Sequence, residues 1–311
     1  MTGRARRHRT WSAFGELGRI PSEYEIVTHD TNYTLRTGRT AALELNPSAP
    51  ANLWFLTYRD RSPLRVPDWN GFRDPDQLTY RTYVTLQDEQ ETVVRGILDE
   101  YSEAGHDGGL PTAWLEILAL LFTAARRPAH AVQLCHSYVG QMAPSSYISN
   151  CAAFAAGDML RRVSLLAYRT RELQRAHPGF RFGTADRTRW ETHPAWQPAR
   201  RALEEALVAY DWGESFVAVN LALRPALDDV LLRRLGDAAR ASGDDLTWLL
   251  LANLEVDAAR CRRWSTALAE YAVAERPDNA AVIERWMSRW RPRADAAAQG
   301  LLQLLESPRS W

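Results

Sequence analysis

The chain has 311 residues, and its 38 basic and 38 acidic side chains give a formal net charge of zero. This balance argues against a nucleic-acid or anionic-membrane partner held by long-range attraction. All 38 basic residues are arginines, which excludes a phosphate-loop lysine, a Schiff-base lysine and a lysine general base.

Cysteine usage favours a reducing compartment. Cys135, Cys151 and Cys261 are an odd number at wide spacing, which is not a disulfide framework. The basic start of the chain is not followed by the apolar segment of a signal peptide, and no stretch is apolar enough to span a bilayer. We therefore expect a cytoplasmic protein.

The first 75 residues differ from the rest. They contain six of the 16 prolines, spaced too closely for long helices, together with many aromatic residues. An extended segment of this kind has little core of its own, so its aromatic side chains need a surface to cover. We expect a proline-rich N-terminal arm over residues 1–75, which lies on the body of the protein or on a partner chain. A helical bundle should follow over residues 76–311.

From Asp74 onward the sequence is typical of one helix after another. Asp74 and Pro75 suit the N-cap and first turn of a helix, Gly105 suits its end, and Pro128 should kink or split the helix that follows. The predicted helices span residues 76–104, about 111 onward, 147–176, 195–210, 212–241, 244–275, 279–290 and 292–306. Because several are roughly 25 to 30 residues long and no strand pattern occurs, the predicted fold is an all-α long-helix bundle.

A long-helix bundle can hold two metal ions when two of its helices each carry Glu-x-x-His and two others each supply a glutamate. Of the seven histidines, only His106 has a glutamate three residues earlier, Glu103. One such motif at a helix end cannot build the site, so we interpret it as a solvated terminus. Asp158 could pair with Arg161 or Arg162 either in the core or on the surface. No Cys-x-x-Cys, nucleophile-elbow or glycine-rich nucleotide-binding motif is present, and no catalytic residue is assigned.

Aromatic residues provide the remaining functional signal. The chain has 12 tryptophans, and tryptophan and tyrosine are enriched among the residues that dominate the binding energy of protein interfaces. The interface candidates are Trp11, Trp54, Tyr58, Trp69, and the i,i+4 pair Trp286 and Trp290. These features favour a helical protein that has no active site of its own and works in a complex.

Several sequence runs together resemble one family. They are WNGFRDPDQL at 69–78, YRTY at 80–83, QMAPS at 141–145, ISNC at 148–151, AYRT at 167–170, YDWGE at 210–214, DN at 278–279 and WRP at 290–292. In this order they are similar to the hydroxylase β subunit of soluble di-iron multicomponent monooxygenases. The opening, with RTW at 9–11 and PSEYEIV at 21–27, is most similar to the toluene and alkene monooxygenase branch.

The resemblance implies a ferritin-like, ribonucleotide-reductase-like helical subunit that is not itself catalytic and holds no cofactor. In that family the α subunit carries the di-iron centre, and the β subunit shares its ancestry but has lost the metal ligands. Asp158-x-x-Arg161 and Ala258-x-x-Cys261 would then stand at the two Glu-x-x-His positions, and Glu214 would keep one lone carboxylate. The fourth position is not assigned.

The resemblance also implies partners. The hydroxylase α and γ subunits and a second αβγ protomer would form an (αβγ)₂ complex, which is served by an effector protein, a Rieske ferredoxin and an NADH reductase. The α subunit would use O₂ to hydroxylate aromatic hydrocarbons or epoxidise alkenes, while the β subunit braces it and its arm wraps a neighbour. A stand-alone di-iron oxidase and a helical adaptor for an unrelated partner are the alternatives.

Overall fold

A computed structural model describes residues 19–31 and 49–306. Within these two ranges the regular secondary structure is helical, and no strand occurs. The helices are α1 (Glu23–Thr28), α2 (Pro50–Phe55), α3 (Tyr80–Glu103), α4 (Thr112–Ile117), α5 (Arg126–Met142), α6 (Ser146–Ala176), α7 (Asp186–Thr192), α8 (Gln197–Leu207), α9 (212–241, built from shorter segments), α10 (Asp245–Glu275) and α11 (Asn279–Glu306). The predicted all-α fold is confirmed. None of these helices is both long and apolar enough to cross a membrane.

The helix α10 lies at the centre of the bundle, where it contacts α3, α6 and α9. The helix α5 runs along α6, and α11 packs against α8 and the first half of α9. Side-chain caps fix where the two longest helices begin. Ser145 accepts a hydrogen bond from the amide of Tyr147 at the start of α6, and Asp244 accepts one from the amide of Thr247 at the start of α10.

The helix α3 begins later than residue 76, where the sequence pattern predicted its start. Gln77 has a φ of 45°, which interrupts a helix, and Thr79 with Thr82 forms the capping box at the observed start. The carboxylate of Asp74 instead accepts hydrogen bonds from two amides of the preceding turn, at 3.1 and 3.4 Å. The end is as predicted, because Gly105 adopts a φ of 64° just after the last turn.

The prediction of two short C-terminal helices is wrong, because α11 continues through Pro292. The buried residues of α11 recur every three or four positions on both sides of this proline: Trp286, Trp290, Ala294, Ala297, Leu301 and Leu304. Packing of this continuous face outweighs the roughly 3 kcal/mol that an interior proline costs. The interval between the predicted helices at 147–176 and 195–210 also contains the short helix α7.

The helix α9 is irregular along its length. It alternates α-helical and π-helical segments: Trp212–Phe216, Val217–Leu223 (π), Arg224–Asp228, Asp229–Arg234 (π) and Leu235–Ala241. In a regular helix the ring of Pro225 would clash with a carbonyl one turn earlier. The turn that precedes Pro225 is the wider π-helical segment Val217–Leu223. Asn220 and Arg224, in and just after this widened turn, are buried polar residues of the bundle interior.

The described part of the N-terminal segment packs on the body of the chain itself. Tyr24, Leu64 and Phe72 belong to the main hydrophobic core, and the ring of Tyr24 lies 5.6 Å from that of Tyr147 in α6. The carboxylate of Glu25 accepts hydrogen bonds from the guanidinium groups of Arg19 and Arg73. The hydrogen bond from Arg19 lowers the pKa of Glu25. The aromatic rings of Tyr24 and Phe72 therefore pack on the chain's own bundle.

The interface candidates differ in how far their side chains are exposed. Trp11 lies outside the described residues. Trp286 and Trp290 are core residues, 7% and 0% exposed, so their interpretation as an interface stripe is corrected: the i,i+4 stripe is the buried face of α11. Trp69 and Tyr58 are half-buried, and Trp54 is 38% exposed.

Candidate functional site

The carboxylate of Asp158 lies in α6 and faces the interior of the bundle, with 1% of its side chain exposed. Its Oδ1 accepts a hydrogen bond from Arg260 of α10 at 2.5 Å. The same oxygen accepts hydrogen bonds from Tyr83 and Gln87 of α3, each at 3.0 Å. The ring of Tyr83 stacks on Phe154 of α6, with 4.3 Å between ring centres. Asp158 therefore connects three helices of the bundle.

Arg161, one turn further along α6, makes the reciprocal contact. Its guanidinium donates a hydrogen bond to Oδ2 of Asp257 in α10 at 2.8 Å. Arg260 lies three residues after Asp257 and also donates to it, at 3.0 Å. Asp158 of α6 thus pairs with Arg260 of α10, and Asp257 of α10 pairs with Arg161 of α6. We call these four residues, together with Gln87, the crossed Asp–Arg cluster.

The helix α3 contributes Gln87 to the cluster and adds contacts from Gln90 and Glu91, which lie beside it. Nε2 of Gln87 donates to Oδ1 of Asp257 at 3.0 Å as well as to Asp158, and Nε2 of Gln90 donates to Asp257 at 3.1 Å. Glu91 accepts a hydrogen bond from Arg161 at 2.6 Å. Because only two of the 24 residues of α3 are buried, these polar contacts are a large part of its attachment to the bundle.

Burial dominates the electrostatics of the cluster. The pKa of Asp158 is raised to about 6, because burial and the nearby Asp257 carboxylate raise it more than Arg260 lowers it. Two carboxylates and two guanidinium groups cancel in formal charge, so no buried charge is left without a counter-charge. The cavity bordered by Asp158, Arg260 and Cys261 measures about 10 Å³, which is at the lower limit for one water molecule.

A second group of buried ion pairs lies beside the cluster. Arg162 of α6 donates to Asp228 of α9 at 2.7 Å, and Arg224 donates to the same carboxylate at 3.3 Å. Arg224 also lies 3.0 Å from Nε2 of His136 in α5, and burial lowers the pKa of that histidine. A neutral ring can accept this hydrogen bond. Asp158 and both arginines that follow it in α6 therefore form buried ion pairs rather than surface pairs.

The Asp-x-x-Arg pair of α10 lies one residue before the pair that the sequence interpretation selected. Ala258 and Cys261 are buried, but the Cys261 sulfur faces α9, where Nδ2 of Asn220 lies 3.6 Å away, and burial raises the pKa of the thiol. Successive helix residues point about 100° apart, so a shift of one residue moves a motif to another face. The signal that could have found the pair is the Asp-x-x-Arg spacing shared by α6 and α10.

Glu214 is not part of the cluster, which corrects its interpretation as a retained ligand position. It lies in the first turn of α9, and its carboxylate accepts hydrogen bonds from Arg289 at 2.8 Å and from Trp290 at 3.1 Å, both in α11. Asn220 is the α9 residue beside Cys261 of α10, and its Nδ2 also donates to Ser265 at 3.0 Å. Sequence reasoning missed Asn220 and Gln87 because neutral amides do not stand out as metal-ligand remnants.

His106 does not lie at a solvated helix end, as the sequence interpretation expected. Its Nε2 is 3.1 Å from Oδ1 of Asp244, and the side chain is 15% exposed. Asp244 is the N-cap of α10, so this contact ties the chain just after α3 to the start of the central helix. The Glu103/His106 spacing therefore reflects a structural tie and not a metal-ligand motif.

The crossed cluster does not fit a di-iron centre. A carboxylate di-metal site in a bundle takes four glutamates and two histidines, whereas the cluster offers two carboxylates, one amide and no histidine. Both carboxylates already bind guanidinium groups. Over residues 19–31 and 49–306, no three His, Cys, Asp or Glu side chains are grouped so that they could hold a metal ion. We therefore derive no metal-dependent step from this chain.

The sequence of the chain is similar to a known protein family and to a curated relative. Residues 54–276 match the family model described as methane/phenol/alkene hydroxylase. The β subunit of the hydroxylase component of the toluene-4-monooxygenase system from Ectopseudomonas mendocina is 42% identical, over 96% of this chain and 91% of that protein. The chain belongs to the methane/phenol/alkene hydroxylase family.

Solved structures agree with this assignment. A chain from the structure of toluene 4-monooxygenase with toluene bound in the resting active site superposes with a TM-score of 0.92 at 40% identity, and covers 98% of this chain and 100% of that one. A chain of the xenon-pressurised phenol hydroxylase from Pseudomonas sp. OX1 has a TM-score of 0.83 at 17% identity, which shows the shared fold. The long-helix bundle of this chain is therefore the ferritin-like fold of hydroxylase subunits.

The cluster predicts unequal costs for two arginine substitutions in α10. Arg260→Gln leaves two buried carboxylates without their shared counter-charge and should lower the free energy of unfolding by about 3–5 kcal/mol. Arg263→Gln is the matched control, because Arg263 pairs with Asp76 at 2.9 Å but is 52% exposed; its cost should be about 1 kcal/mol or less. Thermal denaturation of the two purified variants measures the difference, and equal midpoints would contradict the buried-charge argument.

Proposed function

We propose that this chain is the structural, non-catalytic β subunit of the hydroxylase of a di-iron multicomponent monooxygenase. The observation that carries the proposal is the crossed Asp–Arg cluster: guanidinium groups pair with the interior carboxylates of a bundle that aligns along nearly its whole length with a hydroxylase β subunit. The interior there has no room for a hydrocarbon, since the adjoining cavity is about 10 Å³. The chain contributes structure, and the oxidation occurs in a partner.

The partner that holds the di-iron centre is a larger α subunit, which uses O₂ to oxidise a toluene-like aromatic hydrocarbon or an alkene. Electrons reach it from NADH through the reductase and the Rieske ferredoxin, and the effector protein tunes the reaction. With the γ subunit and a second αβγ protomer, the chain forms an (αβγ)₂ complex in the cytoplasm. The similarity to a subunit of a toluene-4-monooxygenase system supports this set of partners.

The surface of α3 and α6 supports a role in an assembly. Val93 on α3 and Tyr168 on α6 are each 55% exposed, and Leu160 on α6 is 50% exposed. Between the C-terminal half of α3 and α6 runs a groove of about 710 Å³, lined by apolar residues that include Val94, Leu98 and Leu165 and by the charged residues Glu91, Arg95, Asp99 and Arg161. Exposed apolar surface of this kind marks protein–protein contacts. We propose that the α subunit covers this face.

A second apolar surface surrounds Trp54. Its ring lies 4.6 Å from that of Tyr58 and 4.8 Å from that of Tyr210, and its Nε1 donates to the hydroxyl of Tyr138 at 3.0 Å. Three exposed aliphatic residues extend the surface: Leu53, Leu134 and Val208. Rigid aromatic side chains of this type are frequent interface anchors. We propose that another subunit of the complex, rather than water, contacts this surface.

Iron analysis tests whether the metal is bound by the larger subunit and not by this chain. The full-length chain, incubated anaerobically with Fe²⁺ and desalted, should retain no iron by plasma mass spectrometry. Co-expressed with the larger subunit, the complex should hold about two irons per protomer, and exchange of the Glu-x-x-His histidines of the larger subunit should remove them. About two irons bound to this chain alone would instead establish a stand-alone di-iron oxidase.

Substitution on the α3–α6 face tests the subunit contact. Ser164→Asp with Tyr168→Asp places two charges on the α6 side of the groove, which the complex should desolvate, so affinity for the α subunit should fall at least about 30-fold. Ala281→Asp, an exposed position in the first turn of α11, is the control for added charge. Sedimentation of the co-expressed chains measures assembly. Full assembly of the double variant would contradict the proposed contact.

A further inference from the structure

A small cavity lies between α5, α6, α9 and α10, beside the ion pairs that Arg162 and Arg224 form with Asp228. It measures about 20 Å³, and a cavity needs roughly 10–15 Å³ to hold one water molecule. Most of its wall is apolar, with Val132 of α5 and Leu251 of α10 among the lining residues. The cavity therefore has room for one occupant about the size of a water molecule.

The polar groups on the cavity wall are rich in hydrogen-bond donors. Of the described residues that border it, Arg162, Arg224 and Asp228 are polar and the others are apolar. Nη1 of Arg162 donates to one oxygen of Asp228 at 2.7 Å, and Nε of Arg224 donates to the other at 3.3 Å. Within residues 19–31 and 49–306, Nε and Nη2 of Arg162 and Nη2 of Arg224 are buried and have no hydrogen-bond partner. The two guanidinium groups thus retain unpartnered donors, whereas both oxygens of the carboxylate already accept a hydrogen bond.

The charges around the cavity do not balance among the described residues. Two guanidinium groups, both more than nine-tenths buried, share the single carboxylate of Asp228. The crossed Asp–Arg cluster nearby has no negative charge to spare, because each of its two carboxylates has an arginine of its own. His136, which accepts a hydrogen bond from Arg224, stays neutral because burial lowers its pKa. One positive charge is therefore left over in an apolar interior, where an unpaired charge is costly and an arginine does not lose its proton.

We infer that this cavity binds one monatomic anion, chloride in the cell, between the guanidinium groups of Arg162 and Arg224. A chloride ion accepts charge-assisted hydrogen bonds, donates none, and cancels the positive charge that Asp228 leaves uncompensated. A water molecule there would have two hydrogens to donate, and the side-chain acceptors on the described wall are the already bonded oxygens of Asp228. Sulfate and phosphate, each with four oxygens, are too large for about 20 Å³. This inference is independent of whether the chain serves as a hydroxylase subunit.

Bromide tests the position of the anion, because it replaces chloride and scatters X-rays anomalously. Crystals of the full-length chain, alone or in its co-expressed complex, are grown without chloride in sodium bromide, and data are collected at the bromine absorption edge. We expect an anomalous peak in the cavity, within hydrogen-bonding distance of Arg162 and Arg224. Density for a water molecule without an anomalous signal, or a cavity without a peak, would overturn the inference.

Thermal denaturation tests whether the anion binds at low concentration in solution. The full-length chain is titrated from about 1 to 100 mM sodium chloride, with sodium gluconate holding the ionic strength constant because gluconate is too large for the cavity. The wild-type midpoint should rise by about 2 °C or more, since a ligand that binds the folded state stabilises it. A midpoint that does not depend on chloride would contradict the inference, even if bromide binds in the crystal.

Two arginine variants assign the chloride response to the cavity. Arg162→Gln removes the uncompensated charge and leaves Arg224 paired with Asp228, so its midpoint should not depend on chloride and its crystals should show no bromide peak in the cavity. Arg171→Gln, an exposed position on the same helix, removes the same charge from the surface and should respond as the wild type does. Equal chloride responses of wild type and Arg162→Gln would overturn the inference. If Arg162→Gln does not fold, the wild-type bromide map decides.

Discussion

The contacts of Arg260 with Asp158 and of Arg161 with Asp257 hold together the part of the bundle on which the other helices depend. Each contact crosses from α6 to α10, and the carboxylates are at most 2% exposed. In such a place the loss of one partner costs about 3–5 kcal/mol, because it leaves a buried charge without its counter-charge. The two pairs therefore fix the relative register of the central helices, because a shift by one residue would separate every charge from its partner.

Other features of the molecule follow from this interior. The helix α3 buries little apolar surface, and Tyr83, Gln87 and Gln90 attach it to the acidic side chains of the cluster. Its outer face is exposed, and a groove runs between it and α6. On the opposite side of α10, the irregular α9 directs Asn220 toward Cys261 and Ser265, while Arg224 and Asp228 continue the ion pairs toward α5. These hydrogen bonds and ion pairs connect α3, α5, α6, α9 and α10 within the hydrophobic core.

Local signals in the sequence were sufficient for much of the fold. Gly105 predicted the end of α3 because a glycine at a helix end acts through the neighbouring residues of the same turn. The continuation of α11 through Pro292 was not predictable, because it depends on packing of residues on both sides of the proline. The same limit applies to Trp286 and Trp290: an i,i+4 aromatic stripe has the same spacing whether it faces the core or a partner. The Asp257/Arg260 pair was missed for a related reason, since choosing between residues 257 and 258 requires the rotation of α10 relative to α6.

The most direct measurement of the central claim is a double-mutant cycle between Asp158 and Arg260. Unfolding free energies would be compared for wild type, Asp158→Asn, Arg260→Gln and the double variant. If the crossed pair braces the bundle, the two substitutions should be strongly non-additive, with a coupling energy of about 1–3 kcal/mol. A coupling energy near zero would mean that the two side chains are neighbours without a shared structural role, and would contradict the account.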